Sequence, residues 1–148
     1  SVEACGLLTS DICLDGEIPH INLTAHRWRR LKTGSSSRQI PLVGASLWAA
    51  KQVFKQGHQF AFPKYCNETK SNANSASAAL NKWLKPRVPS DCVIHSFRHS
   101  LRDRLRAVEC PADIIDAIGG WTTEGVGHQY GKGYSLQVTL GWMKKLQT

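Results

Sequence analysis

A mostly helical α+β chain with one small antiparallel sheet near its N-terminus is the fold class this sequence predicts, on three observations. Between Glu17 and Leu42 the apolar residues fall in short runs separated by turn chemistry. Beyond Gly44 the apolar period changes to three and four, the spacing of one helical face. Pro86, Pro89, Pro111 and the pair Gly119-Gly120 then divide the helical part into separate segments.

Residues 2–9 read as the end of a helix stopped before Asp11. Ile18 to Leu23, Arg27 to Lys32 and Arg38 to Leu42 are the strand candidates. The stretch Lys32-Thr33-Gly34-Ser35-Ser36-Ser37-Arg38 has the glycine and serine content of a hairpin loop and is basic at both ends. Val43, Leu47, Ala50 and Phe54 then line one helical face. Residues 57–70 are irregular, with Pro63 and aromatics expected to be packed. Ala76, Ala79, Leu80, Trp83 and Leu84 form an amphipathic stripe, ended by Pro86 and Pro89. Phe97, Leu101, Leu105 and Val108 give the next buried face. Ile114, Ile115 and Ile118 line a short helix with Pro111 in its first turn and Gly119-Gly120 as its stop. Residues 121–134 are glycine-rich and expected to be mobile. Ser135 caps a last helix with Leu136, Leu140 and Met143 on its apolar face.

At 148 residues the chain fits one domain with length enough for a core, and its 41% hydrophobic and 20% charged content is ordinary for a globular protein. No apolar run reaches the roughly 20 residues of a membrane helix, and no signal-peptide pattern opens the chain. Lys and Arg total 19 against 11 Asp and Glu, a net charge of +8 that favours a polyanionic partner, with nucleic acid ahead of a membrane surface. The five cysteines are scattered without a C-x-x-C pair, so neither a disulfide framework nor a zinc site is suggested and a reducing cytoplasm fits.

The chemistry concentrates in His95-Ser96-Phe97-Arg98, Trp121 and Tyr130. A guanidinium offers a fixed fork of donors to phosphate oxygens. Imidazole and indole each add one N–H, and a phenol can bond covalently to phosphorus. Arg98 lies about 100° around the helix from Phe97, at the edge of the expected buried face. His95 and His99 have the four-residue spacing of a zinc pair, but Ser96 stands where H-E-x-x-H requires Glu and no third ligand is evident. No metal and no cofactor are expected. Tyr134 rivals Tyr130 on composition alone.

Spacing separates these readings. Arg98 to Trp121 is 23 positions and Trp121 to Tyr130 is nine. This order resembles the catalytic half of a tyrosine recombinase, the phage integrase family, in which H-x-x-R opens a helix, a His or Trp follows, and the nucleophilic Tyr comes about nine further on. The resemblance selects Tyr130 over Tyr134. Leu31-Lys32-Thr33-Gly34 with Arg38-Gln39-Ile40-Pro41-Leu42 resembles the family's β-hairpin, whose lysine is catalytic, which gives Lys32 that role. Ser1-Val2-Glu3-Ala4-Cys5-Gly6-Leu7 with Asp11 resembles the segment just after the family's first catalytic arginine. Residues 57–90 match only in general pattern. One position departs. The first arginine belongs three before Glu3, immediately ahead of Ser1, and no arginine precedes Arg27; Arg27, Arg29 and Arg30 do not match it.

The resemblance implies the fold of the tyrosine recombinase catalytic core, a DNA breaking-rejoining enzyme, as a single domain over 1–148 without the family's upstream DNA-binding domain. It implies a site-specific recombinase or integrase that cleaves and rejoins double-stranded DNA through a 3′-phosphotyrosyl intermediate, in phage or mobile-element integration, in a bacterial or phage-infected cytoplasm. The catalytic residues it implies are Tyr130, Arg98, His95, Trp121 and Lys32, with no cofactor, no metal and no membrane. Without the first arginine, these residues are expected to cleave poorly or not at all. A homo-oligomer, a tetramer on DNA, is implied through the last helix, Ser135 to Leu146; the sequence equally allows that helix to pack on its own domain. Two rival functions stand beside this one. In the first, the short helices around Pro111 form a non-enzymatic helix-turn-helix DNA-binding module, which explains the charge but coordinates none of Lys32, Trp121 and Tyr130. The second is a type IB topoisomerase-like strand transferase.

Overall fold

The computed structural model describes residues 2–31, 36–121 and 133–147. Lys32 and Tyr130, the hairpin loop around Gly34 and most of the glycine-rich stretch 121–134 lie outside the described residues.

The sheet has three described strands, β1 (Ile12–Cys13), β2 (His20–Leu23) and β3 (Arg38–Pro41), in the order β1-β2-β3 and antiparallel throughout. β1 is too short to show a period, and sequence reasoning missed it. In β2 and β3, Ile21 faces Ile40 and Leu23 faces Arg38. Of the expected strand Arg27 to Lys32, the described residues 27–31 form none. His26 and Arg29 exchange both backbone hydrogen bonds, at 2.9 and 3.0 Å, and close a tight turn instead. The aromatic residue there serves the turn: Trp28 stacks on His26 and meets Phe60 edge-on.

Six helices are described: α1 (Val2–Cys5), α2 (Gly44–Lys55), α3 (Ala73–Leu84), α4 (Ser96–Ala107), α5 (Ala112–Gly119) and α6 (Leu136–Lys145). The expected helix over 2–9 is thus only α1, followed by a 3₁₀ turn at Thr9–Asp11. One core lies between the sheet and α2, built on Leu7, Ile12, Leu23, Leu42, Ala50 and Ala61. A second joins α4, α5 and α6 through Leu105, Cys110, Ile114, Ile115, Ile118 and Met143. β3 packs against both α5 and α6 and so connects the two cores. Asn72 caps α3 by accepting from Ser75 N–H, and Ser135 caps α6 by accepting from Val138 N–H.

Three stripes differ from the sequence reading. On α2, Val53 packs inward while Phe54 is exposed. On α3 the alanines at 73 and 76 approach Cys5, but Leu80 and Trp83 face solvent. On α4 the core reaches only from Leu101 to Val108, and Phe97 in the first turn is 61% exposed. α6 packs in cis: Met143 is buried in the second core, and Arg104 donates to the Leu146 carbonyl. Leu105 is wholly buried at the centre of that core. Leu105→Ala is expected to lower stability by about 2–5 kcal/mol, read by denaturant unfolding, because the lost contacts leave a cavity between three helices.

Candidate active site

α4 begins at the motif. His95 is its N-cap residue and is exposed, and its carbonyl accepts from Arg98 N–H at 3.0 Å. Ser96 Oγ accepts from Val93 N–H at 3.0 Å, which closes the turn before the helix. The His95 and His99 rings pack edge to face, with centroids 5.2 Å apart. This gives the i,i+4 histidines a mutual packing role, and among the described residues no three His, Cys, Asp or Glu side chains converge as metal ligands.

The structure brings Arg98 and Trp121 together. The Arg98 guanidinium carbon lies over the Trp121 ring, 4.3 Å from its centroid. Burial pushes the Arg98 pKa below its ordinary value; Glu3 opposes that shift, while Arg38 and Arg102 add to it. An arginine starts so high that it stays charged. The result is a half-buried, fixed cation in a corner shared with two more cations and one carboxylate.

Trp121 reaches that corner because of how α5 ends. Gly120 is the left-handed C-cap, φ 65°, and Trp121 N–H donates to the Asp116 carbonyl at 3.0 Å. Gly119 is still helical. A Cβ there would meet the six-membered ring of Trp121 at 1.7 Å, so the ring occupies the space that a side chain at 119 would take. The glycine pair is more than a stop signal.

Two arginines that sequence reasoning passed over complete the corner. Arg38, at the start of β3, donates from Nε to the Ile118 carbonyl at 2.9 Å and from Nη1 to the Ser36 carbonyl at 2.7 Å. Its Nη2 pairs with Glu3 Oε2 at 3.0 Å. A Cβ on Gly120 would lie 2.4 Å from Arg38 Nη1, so glycine is needed there for close approach as well as for its φ. Arg102, one turn beyond Arg98, lies 5.2 Å from the Trp121 ring centroid and 3.8 Å from the buried Asp116 carboxylate. The sequence placed Arg38 at the basic end of the hairpin loop and Arg102 among the arginines that follow the motif, without a role in the site for either.

Tyr134 is described, and its hydroxyl donates to the Asp113 carboxylate. That hydrogen bond is the main cause that raises its pKa. His95, Arg98 and Trp121 are in the described structure; Lys32 and Tyr130 are not.

The described site is thus an H-x-x-R helix whose arginine meets a tryptophan just past the end of the next helix, beside a small antiparallel sheet. The model of the phage integrase family matches residues 1–132. The chain belongs to that family, and its activity is in general that of a site-specific tyrosine recombinase acting on DNA. No curated protein and no solved structure matches it significantly. No described helix is long and apolar enough to cross a membrane.

Proposed function

We propose that this chain cleaves and rejoins DNA strands in phage or mobile-element integration, with Tyr130 as nucleophile. The observation that carries the reading is the Arg98–Trp121 contact, 4.3 Å across, between the first turn of α4 and the residue that follows α5. The Tyr130 oxygen attacks the scissile phosphorus and forms a 3′-phosphotyrosyl bond as the bond to the 5′-oxygen breaks. A phenol has a reference pKa of about 10, so attack requires loss of its proton. His95 hydrogen-bonds the phosphate and assists that proton transfer, and Lys32 protonates the departing 5′-oxygen. Arg98 clamps the equatorial oxygens as they gain charge, and the Trp121 N–H adds a neutral donor. The covalent link conserves the phosphodiester energy, so a second 5′-hydroxyl reverses the step without ATP or metal.

The Tyr134 hydroxyl is engaged by the Asp113 carboxylate, which supports Tyr130 as the nucleophile. Assembly as a homo-tetramer on DNA is part of the proposal. α6 buries Met143 on its own chain and leaves Val138 exposed for a neighbour.

The test is covalent trapping on a duplex carrying the recombination site, nicked beside the scissile phosphate. The protein is this chain extended upstream of Ser1 by an arginine and a DNA-binding domain. A protein–DNA band is expected, absent in Tyr130→Phe and kept in Tyr134→Phe. A band that survives Tyr130→Phe removes the nucleophile assignment. If no version forms one, a non-catalytic DNA-binding pair of α4 and α5 becomes the better reading. Relaxation of supercoils without joining of two sites would instead identify topoisomerase-like strand transfer.

A further inference from the structure

We propose that Arg102, anchored by Asp116, is a positioning residue that holds the Trp121 indole against Arg98. The proposal rests on the strand-cleavage reading above and extends it to a residue outside the H-x-x-R motif. Asp116 acts on Trp121 twice. Its backbone carbonyl accepts from the main-chain N–H of Trp121 at 3.0 Å, which fixes where the residue leaves α5, and its carboxylate, on a buried residue of α5, lies 3.8 Å from Arg102 Nη2. Arg102 in turn lies over the Trp121 ring, 5.2 Å from the centroid, beside Arg98 at 4.3 Å. Arg102 Nε is buried with no hydrogen-bond partner among the described residues, as expected for a guanidinium turned toward an aromatic surface. Asp116 thus holds Trp121 at its main chain directly and at its ring through Arg102.

The electrostatics give this arrangement a purpose. Two guanidiniums one helical turn apart repel each other, and the ring's negative face offsets part of that repulsion for both. The Asp116 carboxylate lies 3.8 Å from Arg102, and Arg98 is the nearer of the two guanidiniums to the ring centroid, at 4.3 Å against 5.2 Å. Without Arg102 the ring loses a cation that fixes it, and Arg98 loses the surface on which its guanidinium lies. An error of about 1 Å in a clamp of this kind costs up to about a hundredfold in rate.

The experiment uses the upstream-extended chain and two nicked duplexes. One carries the natural scissile phosphate, and the other a methylphosphonate there, which lacks one charged non-bridging oxygen. On the phosphate, Arg102→Ala is expected to slow formation of the covalent complex by roughly tenfold, the scale of losing an outer-shell partner. On the methylphosphonate the loss should shrink markedly, as it should for Arg98→Ala, because less charge needs clamping. Asp116→Asn should behave like Arg102→Ala, and the double variant should be no slower than the slower single one. Equal losses on both duplexes, additive losses, or no loss would overturn the proposal in favour of a merely structural ion pair. A parent chain that forms no covalent complex on the phosphate duplex overturns the strand-cleavage reading, and the role of Arg102 with it.

Discussion

Arg29→Ala is expected to destabilise the fold by about 3–5 kcal/mol, because it leaves a buried network without its cation. The Arg29 side chain is wholly buried. Its Nη1 donates to the Glu3 carbonyl at 2.8 Å, and its Nη2 donates to the Thr24 carbonyl and lies 3.8 Å from Asp11 Oδ2. Asp11 also accepts from Leu8 N–H at 2.9 Å and pairs with His26 at 2.9 Å. Burial lowers the Arg29 pKa, with Asp11 as the largest opposing influence. Truncation to alanine leaves the Glu3 and Thr24 carbonyls without this donor, takes the nearby cation from Asp11, and opens a cavity beneath Gly6, where a Cβ would already lie 2.7 Å from Arg29 Cδ. Arg29→Met fills that volume without a charge, so it should cost clearly less than alanine. Urea unfolding of the three proteins measures the difference. If alanine and methionine cost the same, the loss comes from the missing charge and hydrogen bonds and packing adds little.

The same arginine shows where sequence reasoning stops. Arg27 to Lys32 carries the composition of a strand, and nothing local reveals that the Arg29 side chain will be buried between α1 and the 3₁₀ turn. The partners that make it so, Glu3 and Asp11, lie 26 and 18 positions away. Long periodic segments were legible, since α2 to α6 each bury at least one residue of their expected apolar stripe. Which end of a stripe stays exposed was not. Phe97 continues the α4 face chemically, yet the α5–α6 core ends at Leu101 and leaves it in solvent.

At the site, Arg98 and Trp121 were legible because their separation and residue types together resemble one family's pattern. Arg38 and Arg102 were not. The Arg38–Ile118 hydrogen bond spans 80 positions. Arg102 looks like its neighbours Arg104 and Arg106 until α5 places Asp116 and Trp121 beside it. Gly119 was read as half of a stop signal, a reading that accounts for Gly120 alone.

Gly119→Ala is therefore expected to cut strand cleavage by on the order of a hundredfold while leaving the helix intact. Alanine suits a helical backbone better than glycine, by about 1 kcal/mol, and Gly119 is helical, so local propensity predicts a neutral or stabilising change. The steric prediction is the opposite for activity. The new methyl would fall 1.7 Å from Cζ3 and 1.9 Å from Cε3 of Trp121, well inside contact distance, and a rigid indole cannot yield as a flexible chain end would. The ring must swing away from α5, taking its N–H and the surface under Arg98 with it. Gly120→Ala differs in kind, since it strains a φ of 65° and strikes Arg38, so it should lose stability as well as activity. The pair separates the two roles: unfolding midpoints alongside covalent-complex rates should show Gly119→Ala folded but slow, and Gly120→Ala both weakened and slow. A Gly119→Ala protein that cleaves at the parent rate would mean that the Trp121 indole has no part in holding the phosphate.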